Sequence, residues 1–376
     1  MRRLVFISNM AAPYQVKFCQ ALREYYDAQF WYHVRLEANR PAWWRMPLGP
    51  HNRILEHVVL TRSQHYFSFD IVSELERYDP DVVLLGGLTL LSNAVAYLWA
   101  KSRCKPVLAF TELRRTPQGE PRGVDAIAVL LRTFYSGLDC ILTSSEEAAV
   151  QFRNDYRFPH VVAANYPADI DGYFHHLARP RGARRDILFP NRLVDLYDPL
   201  LALAVFAEVH RRHAEARMKM NASGPLRQAC QERIAALGLS ECVAFLDKIA
   251  SWDALPQVYD AADIMMLPAR FSVGNFTIVE GMASGMGMVL SNRIQGFGKL
   301  IEEGRNGFSR APQVDSFVDA IEQYFAAPGL FHAHAAINRE LVRRYTLAET
   351  AKRFRDVVED VIATRMNPAR TEKEFR

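Results

Sequence analysis

Residues 267–285 read LPARFSVGNFTIVEGMASG. The apolar run 264–267 before them is short enough for a buried strand, Gly274-Asn275 supplies a turn, and a helical period starts at Phe276. Strand, loop and helix in that order form the unit from which open parallel sheets are built. In such sheets ligands bind beyond the strand C-termini, where the free N–H groups of a starting helix, here Phe276 and Thr277, face anions. Glu280 lies one turn inside that helix. It is placed to meet a sugar hydroxyl of a ligand whose phosphate sits at the helix start, or else it solvates the helix or pairs locally.

Outward from this segment the same alternation repeats. Strand candidates fall at 4–8, 29–33, 82–85, 107–110, 140–143 and 161–163, and then at 187–189, 217–221, 243–246, 264–267 and 288–291. Helical stretches separate them, which argues for parallel sheets covered on both faces. So many strands suit two doubly wound domains better than one sheet. Residues 176–186 are rich in Arg, Pro and Gly without apolar period and read as an exposed linker. The expected division is therefore 1–176 and 186–346, followed by an amphipathic helix over 347–364 that crosses back to the first domain.

Hydrophobic residues make up 49% and charged residues 23%, a globular composition. The net charge of +4 is too small to demand nucleic acid, although it permits anionic substrates or a lipid surface. The five cysteines are scattered without a CxxC pair and read as buried thiols in a reducing compartment. Residues 82–100 are uncharged over nineteen positions, but Gly86-Gly87 and Ser92-Asn93 divide them into strand, loop and helix. A cytoplasmic protein is expected, with peripheral contact at the inner face of a membrane open. The segment 35–45 carries Trp43-Trp44 between arginines; this pair suits a lipid interface or stacking on a sugar, or it is an apolar plug on the first domain.

Several segments, taken in order, resemble glycosyltransferase family 4 of the GT-B type, the retaining, nucleotide-sugar-dependent enzymes. The carriers are Asn165 to Phe174, Phe189-Pro190-Asn191-Arg192-Leu193, Ala222-Ser223-Gly224-Pro225-Leu226, Tyr259-Asp260-Ala261-Ala262-Asp263, Glu280-Gly281-Met282-Ala283-Ser284-Gly285 and Leu300 to Phe308. The resemblance implies an α/β fold of two facing Rossmann-like domains. It also implies a donor site in which Arg192 meets the diphosphate and Glu280 holds the nucleotide ribose. Gly224, Gly274, Asn275, Phe276 and Thr277 would line that site, with Ser272 beside them and Lys248 near base or phosphate. Pro13 lies in a segment, 9–14, similar to the loop that closes over the donor phosphates.

This chain departs from the pattern in two places. The first glutamate of the family's pair would fall at Ser272, and a lysine that follows the Arg would fall at Tyr197. Losing that lysine removes a point charge worth about 1–3 kcal/mol as a charged hydrogen bond. Glu112 ends a strand where an acceptor-side or catalytic group of the family lies; the alternative is a surface carboxylate paired with arginine. Asp169-Ile170-Asp171 is formally an Asp-x-Asp but sits at the domain junction, and the eleven histidines show no metal-ligand spacing.

The expected activity is transfer of a sugar from a nucleotide diphosphate sugar to a saccharide or lipid-linked acceptor, with Glu112 and Arg192 as the catalytic candidates. No cofactor or metal is called for, since Arg and a helix dipole stabilise the leaving diphosphate. Two other readings stay open, a nucleotide-sugar 2-epimerase and a non-catalytic binding subunit.

Overall fold

The computed structural model describes residues 1–38, 40–62, 65–114, 122–174, 181–182, 184–272 and 275–366. Among these the strands are β1 (Arg3–Met10), β2 (Asp27–Val34), β3 (Asn52–Ile54), β4 (Val58–Arg62), β5 (His65–Ser68), β6 (Val82–Gly86), β7 (Val107–Thr111), β8 (Cys140–Thr143), β9 (Val161–Ala163), β10 (Asp186–Phe189), β11 (Arg217–Asn221), β12 (Val243–Leu246), β13 (Ile264–Leu267), β14 (Gly287–Ser291) and β15 (Phe308–Arg310). All eleven segments expected as strands form strands. The chain divides into two units, Met1–Asp169 with Thr346–Arg376, and Ile170–Tyr345.

The first unit is built on a parallel sheet in the order β3-β2-β1-β6-β7-β8-β9, with β4 and β5 as a separate antiparallel pair. Its strands are apolar on both faces because helices cover both. Val5, Ile7, Val83, Leu85, Ala109 and Ile141 pack with Leu75, Ala96, Tyr97, Ala128 and Leu131 from the helices. On the other face the helix Leu347–Met366 returns to this unit, with Phe354 edge-on to Phe18 at 5.0 Å and Arg365 paired with Asp139 at 2.8 Å. The uncharged stretch 82–100 is divided between β6 and the helix Leu91–Ser102. No helix among the described residues is long and apolar enough to cross a membrane.

The second unit carries a parallel sheet in the order β12-β11-β10-β13-β14-β15. Asp263 is fully buried at the start of β13, and its Oδ2 accepts from the Asp186 backbone N–H at 3.2 Å, which locks the N-terminal edge of β10 beside it. The strand order reverses between β10 and β13. Chain leaving β10 runs toward β11 and chain leaving β13 runs toward β14, so the two loops diverge and open a crevice at their C-terminal ends.

Candidate functional site

Beyond β10 the chain runs Pro190-Asn191-Arg192-Leu193. Leu193 donates its N–H to Ser223 O at 2.8 Å and accepts from Leu226 N–H at 3.0 Å, so the turn 222–226 is sewn onto it. Gly224 makes this possible: at φ +140° a Cβ there would stand 2.4 Å from Leu193 O. Gly224 thus fixes the backbone next to Arg192. The Arg192 Nε is buried without a hydrogen-bond partner among the described residues.

Beyond β13 the helix Phe276–Ala283 starts with Asn275 as its N-cap. Asn275 Oδ1 accepts from the Thr277 N–H at 3.3 Å, and Thr277 Oγ1 lies 2.6 Å from that oxygen and 3.0 Å from Asn191 Oδ1. This contact ties the two diverging loops together. The Phe276 ring stacks at a tilt, 6.0 Å from Phe297. Glu280 faces inward, only 5% exposed, and accepts a hydrogen bond from the Tyr259 hydroxyl. Burial first, and then the charge of Glu280, push the Tyr259 phenol well above its ordinary pKa, so it remains a donor.

Arg192, Gly224, Asn275, Phe276, Thr277 and Glu280 therefore share the β10–β13 switch point, while Gly274 lies outside the described residues. Ser272 is buried and turned into backbone pairing with Ile294, and its carbonyl accepts from Gln295 N–H at 2.8 Å. Lys248 is exposed on the loop after β12, and β11 stands between it and β10, so about 10 Å of sheet separates the two loops. Tyr197 packs against the apolar core of this unit. Asn191 and Tyr259 lie in quoted motifs without being singled out there; burial and their contacts with Thr277 and Glu280 place them at this crevice.

The first unit has a polar cluster of its own. Pro13 opens the helix Pro13–Leu22 after β1, and Glu112 follows β7. Glu112 Oε1 accepts from the Tyr166 hydroxyl at 2.8 Å, and that hydroxyl is 3.2 Å from the Tyr14 hydroxyl. Burial pushes the Tyr14 phenol up to about 12, so this chain of hydroxyls stays protonated. Trp43 and Trp44 form a short helical turn, half-buried, with the Arg40 guanidinium 5.0 Å from the Trp44 ring centre. The larger exposed apolar surface of this unit is on the helix Ala126–Phe134, where Ile127, Val129 and Leu130 are exposed. Asp169 pairs with Lys17 at 2.7 Å, while Asp171 opens a turn in the second unit. His175-His176 lie outside the described residues.

Residues 184–326 match the family described as Glycosyl transferases group 1. The D-inositol 3-phosphate glycosyltransferase of Corynebacterium urealyticum is 25% identical over 259 residues, covering 63% of this chain and 60% of that protein. The fold matches sucrose-phosphate synthase from Thermosynechococcus elongatus (TM-score 0.70, 14% identity, 97% of this chain and 100% of that one). It also matches Anabaena HepE in complex with UDP and glucose (TM-score 0.69, 14% identity, 96% and 100%). The chain has the GT-B fold of these structures, and its second unit carries the match to the group 1 glycosyl transferases. The family match covers β10 to the helix Val314–Ala326, the part of this GT-B chain that holds Arg192 and Glu280. The chain spans about 60% of the length of that relative, and about a quarter of the mannosylfructose-phosphate synthase of Agrobacterium fabrum, to which it is 33% identical over 125 residues.

Proposed function

We propose that the protein transfers a sugar from a nucleotide diphosphate sugar to a saccharide or lipid-linked acceptor, with retention at the anomeric carbon, in polysaccharide or glycoconjugate synthesis. The observation that carries this reading is Glu280, a buried carboxylate oriented by Tyr259, one turn inside the Phe276–Ala283 helix whose Thr277 side chain meets Asn191 of Arg192's loop. A carboxylate there accepts from ribose hydroxyls, while the positive end of the helix and Arg192 face the diphosphate. As the glycosidic bond breaks, negative charge grows on the departing diphosphate. The same positive groups stabilise it more than they stabilise the intact donor, which is the requirement for rate acceleration. No metal or cofactor has a part in this scheme. The first unit takes the acceptor, with Glu112 held by Tyr166 as its polar group and residues 35–45 as the contact to a membrane surface.

A second reading, a binding subunit without catalysis, is favoured by Tyr197 and Ser272, which supply neither charge to the crevice. One experiment separates these. A calorimetric screen of nucleoside diphosphates identifies the base, and the matching sugar donors are then tested for transfer to a mixed acceptor pool in excess EDTA. Transfer under EDTA supports the proposal, and activity recovered only with Mg²⁺ or Mn²⁺ removes its metal-free form. Binding without transfer supports the subunit, epimerised sugar without acceptor supports a 2-epimerase, and no nucleotide binding overturns all three.

A further inference from the structure

The helix Ala126–Phe134 is apolar on more sides than its place at the surface requires. Ala128 and Leu131, with Tyr135 at the helix end, are buried against the core of the first unit. Ile127, Leu130 and Phe134 form a second stripe at the same spacing, with Val129 beside it, and this stripe faces out; Leu130 is 66% exposed. A surface helix needs one apolar stripe, and a second one calls for a cover. The helix Leu91–Ser102 packs alongside, with the Tyr97 ring 5.6 Å from Phe134 and 5.0 Å from Tyr135. It turns Leu91 and Leu98 outward as well. The platform is fixed to the sheet. Asp125 caps the helix by accepting from the Ala128 N–H at 2.7 Å, and pairs with Arg122 at 2.7 Å and Arg114 at 3.3 Å. Buried Gln151 holds the chain that leads into it: its Oε1 accepts from the Arg114 N–H at 2.8 Å, and its Nε2 donates to the carbonyls of Arg114 and Arg122, both at 2.9 Å.

Area, polarity and charge together select the occupant. Helices of twelve and nine residues side by side present about 300 Å² of outer face, from their rise per residue and a width of about 10 Å. A stable protein partner needs about 800 Å² from each side, so a second copy of the chain is poorly served. Protein interfaces also carry about one hydrogen bond per 100–200 Å². This stripe is aliphatic apart from Phe134, and the neighbouring Thr133 hydroxyl donates within the helix to the Val129 carbonyl at 2.9 Å. A bilayer asks for no directional partner. Neither helix carries a carboxylate; their charged residues are Lys101 and Arg132, each in the last turn. Both helices follow parallel strands of one sheet, so the two cations border the face at the same end. We propose that the outer face of these two helices rests on a bilayer with anionic headgroups. The aliphatic side chains enter the boundary between headgroups and acyl chains, and Lys101 and Arg132 lie against the phosphates. This is a second contact besides the tryptophan turn, and it does not depend on how the donor is held.

The test is flotation of the full chain with phosphatidylglycerol vesicles and with phosphatidylcholine vesicles, beside light scattering for mass and thermal melts. The wild-type chain should float with the first and much less with the second. Ile127→Gln with Leu130→Gln changes exposed positions to a good helix former, so melting should hold while partition onto phosphatidylglycerol falls about tenfold or more. Leu98→Gln reports on the same face from the other helix, so the outcome does not hang on one variant. Lys101→Gln with Arg132→Gln should weaken binding to phosphatidylglycerol and leave phosphatidylcholine within about twofold. A wild-type chain that does not float, or flotation that the Ile127 and Leu130 substitutions leave unchanged, overturns the proposal. So does a wild-type dimer that the same substitutions turn into a monomer, which would assign the face to a second copy. Nucleotide affinity should be unchanged in every variant; its absence from the wild-type chain would remove the donor reading and leave this surface standing.

Discussion

The Tyr259 hydroxyl donates to Oε2 of Glu280, a link between the short helix before β13 and the helix after it. Tyr259 packs edge-on to Tyr173 at 5.2 Å, so its ring is held independently of the carboxylate it orients. A charged acceptor bonding neutral hydroxyls contributes about 1.5–3 kcal/mol. Glu280→Gln, which keeps shape and part of the hydrogen bonding, should therefore weaken nucleotide binding about tenfold or more, with the fold intact. Tyr259→Phe should weaken it less, because the carboxylate remains but loses one restraint. Ser272→Glu should not rescue Glu280→Gln, since Ser272 is buried in its own bridge with Ile294. Calorimetry beside thermal melts decides this: unchanged affinity with a lowered melting temperature would make Glu280 a residue of the fold alone.

The strands were legible in the sequence because buried parallel strands are continuous apolar runs, as 82–85 and 264–267 are. Four strands were not. β3 and β15 are three residues long and carry Asn52, Arg53, Ser309 and Arg310, too short and too polar for an apolar period. The pair β4 and β5 pleats outside the main sheet and lacks the tight-turn dipeptides that mark a hairpin. At the site, the helix start and the position of Glu280 one turn inside it follow from chain order alone, whereas the pairing of Glu280 with Tyr259 does not. The Asn191–Thr277 contact does not, because it joins residues 86 positions apart and depends on two loops diverging from adjacent strands. Lys248 follows β12, two strands from β10 in the sheet, a placement that chain order alone does not give.

Gly224 allows a sharper test of the Arg192 loop. An added methyl would meet the Leu193 carbonyl at a distance no Cβ adopts, on a backbone at φ +140°. The expected cost of Gly224→Ala is on the order of 1–3 kcal/mol, and relief of the clash must move Leu193 and Arg192 together. Both the melting temperature and nucleotide affinity should fall. Arg192→Ala, by contrast, should lower affinity with little change in melting. A Gly224→Ala variant that is normal on both measures would show that the 222–226 turn does not position the arginine.

The tryptophan turn is tested by flotation with anionic liposomes. Trp43→Ala with Trp44→Ala should reduce attachment and leave nucleotide affinity unchanged, and attachment should weaken with salt because it draws on arginines. Collapse of the melting transition in the double variant would make the pair an apolar plug, consistent with their half-burial. Attachment that persists unchanged would redirect the search to the exposed Ile127, Val129 and Leu130.

Two buried histidines contribute to the pH dependence of stability. His33 and His334 are each 2% exposed, and burial holds both below the ordinary histidine value. His334 Nδ1 accepts from the Tyr324 hydroxyl at 2.8 Å, and that oxygen in turn accepts from the Met288 N–H of β14 at 3.1 Å. A proton on Nδ1 would remove the acceptor and reverse the end of this chain. His33 Nδ1 lies 2.8 Å from the Ser8 carbonyl of β1, so it carries a hydrogen. With folded values lowered, the unfolded chain binds more protons than the folded one below about pH 6.5, and stability falls as pH falls through that window. His57, raised by Asp70, acts in the opposite sense, but its side chain is exposed and the pair is screened by solvent. The melting temperature should therefore drop between about pH 7.5 and 5.5. His334→Gln, whose amide oxygen still accepts from Tyr324, should flatten that slope, and so should His33→Gln. A slope that neither substitution changes would place the acid sensitivity elsewhere in the chain.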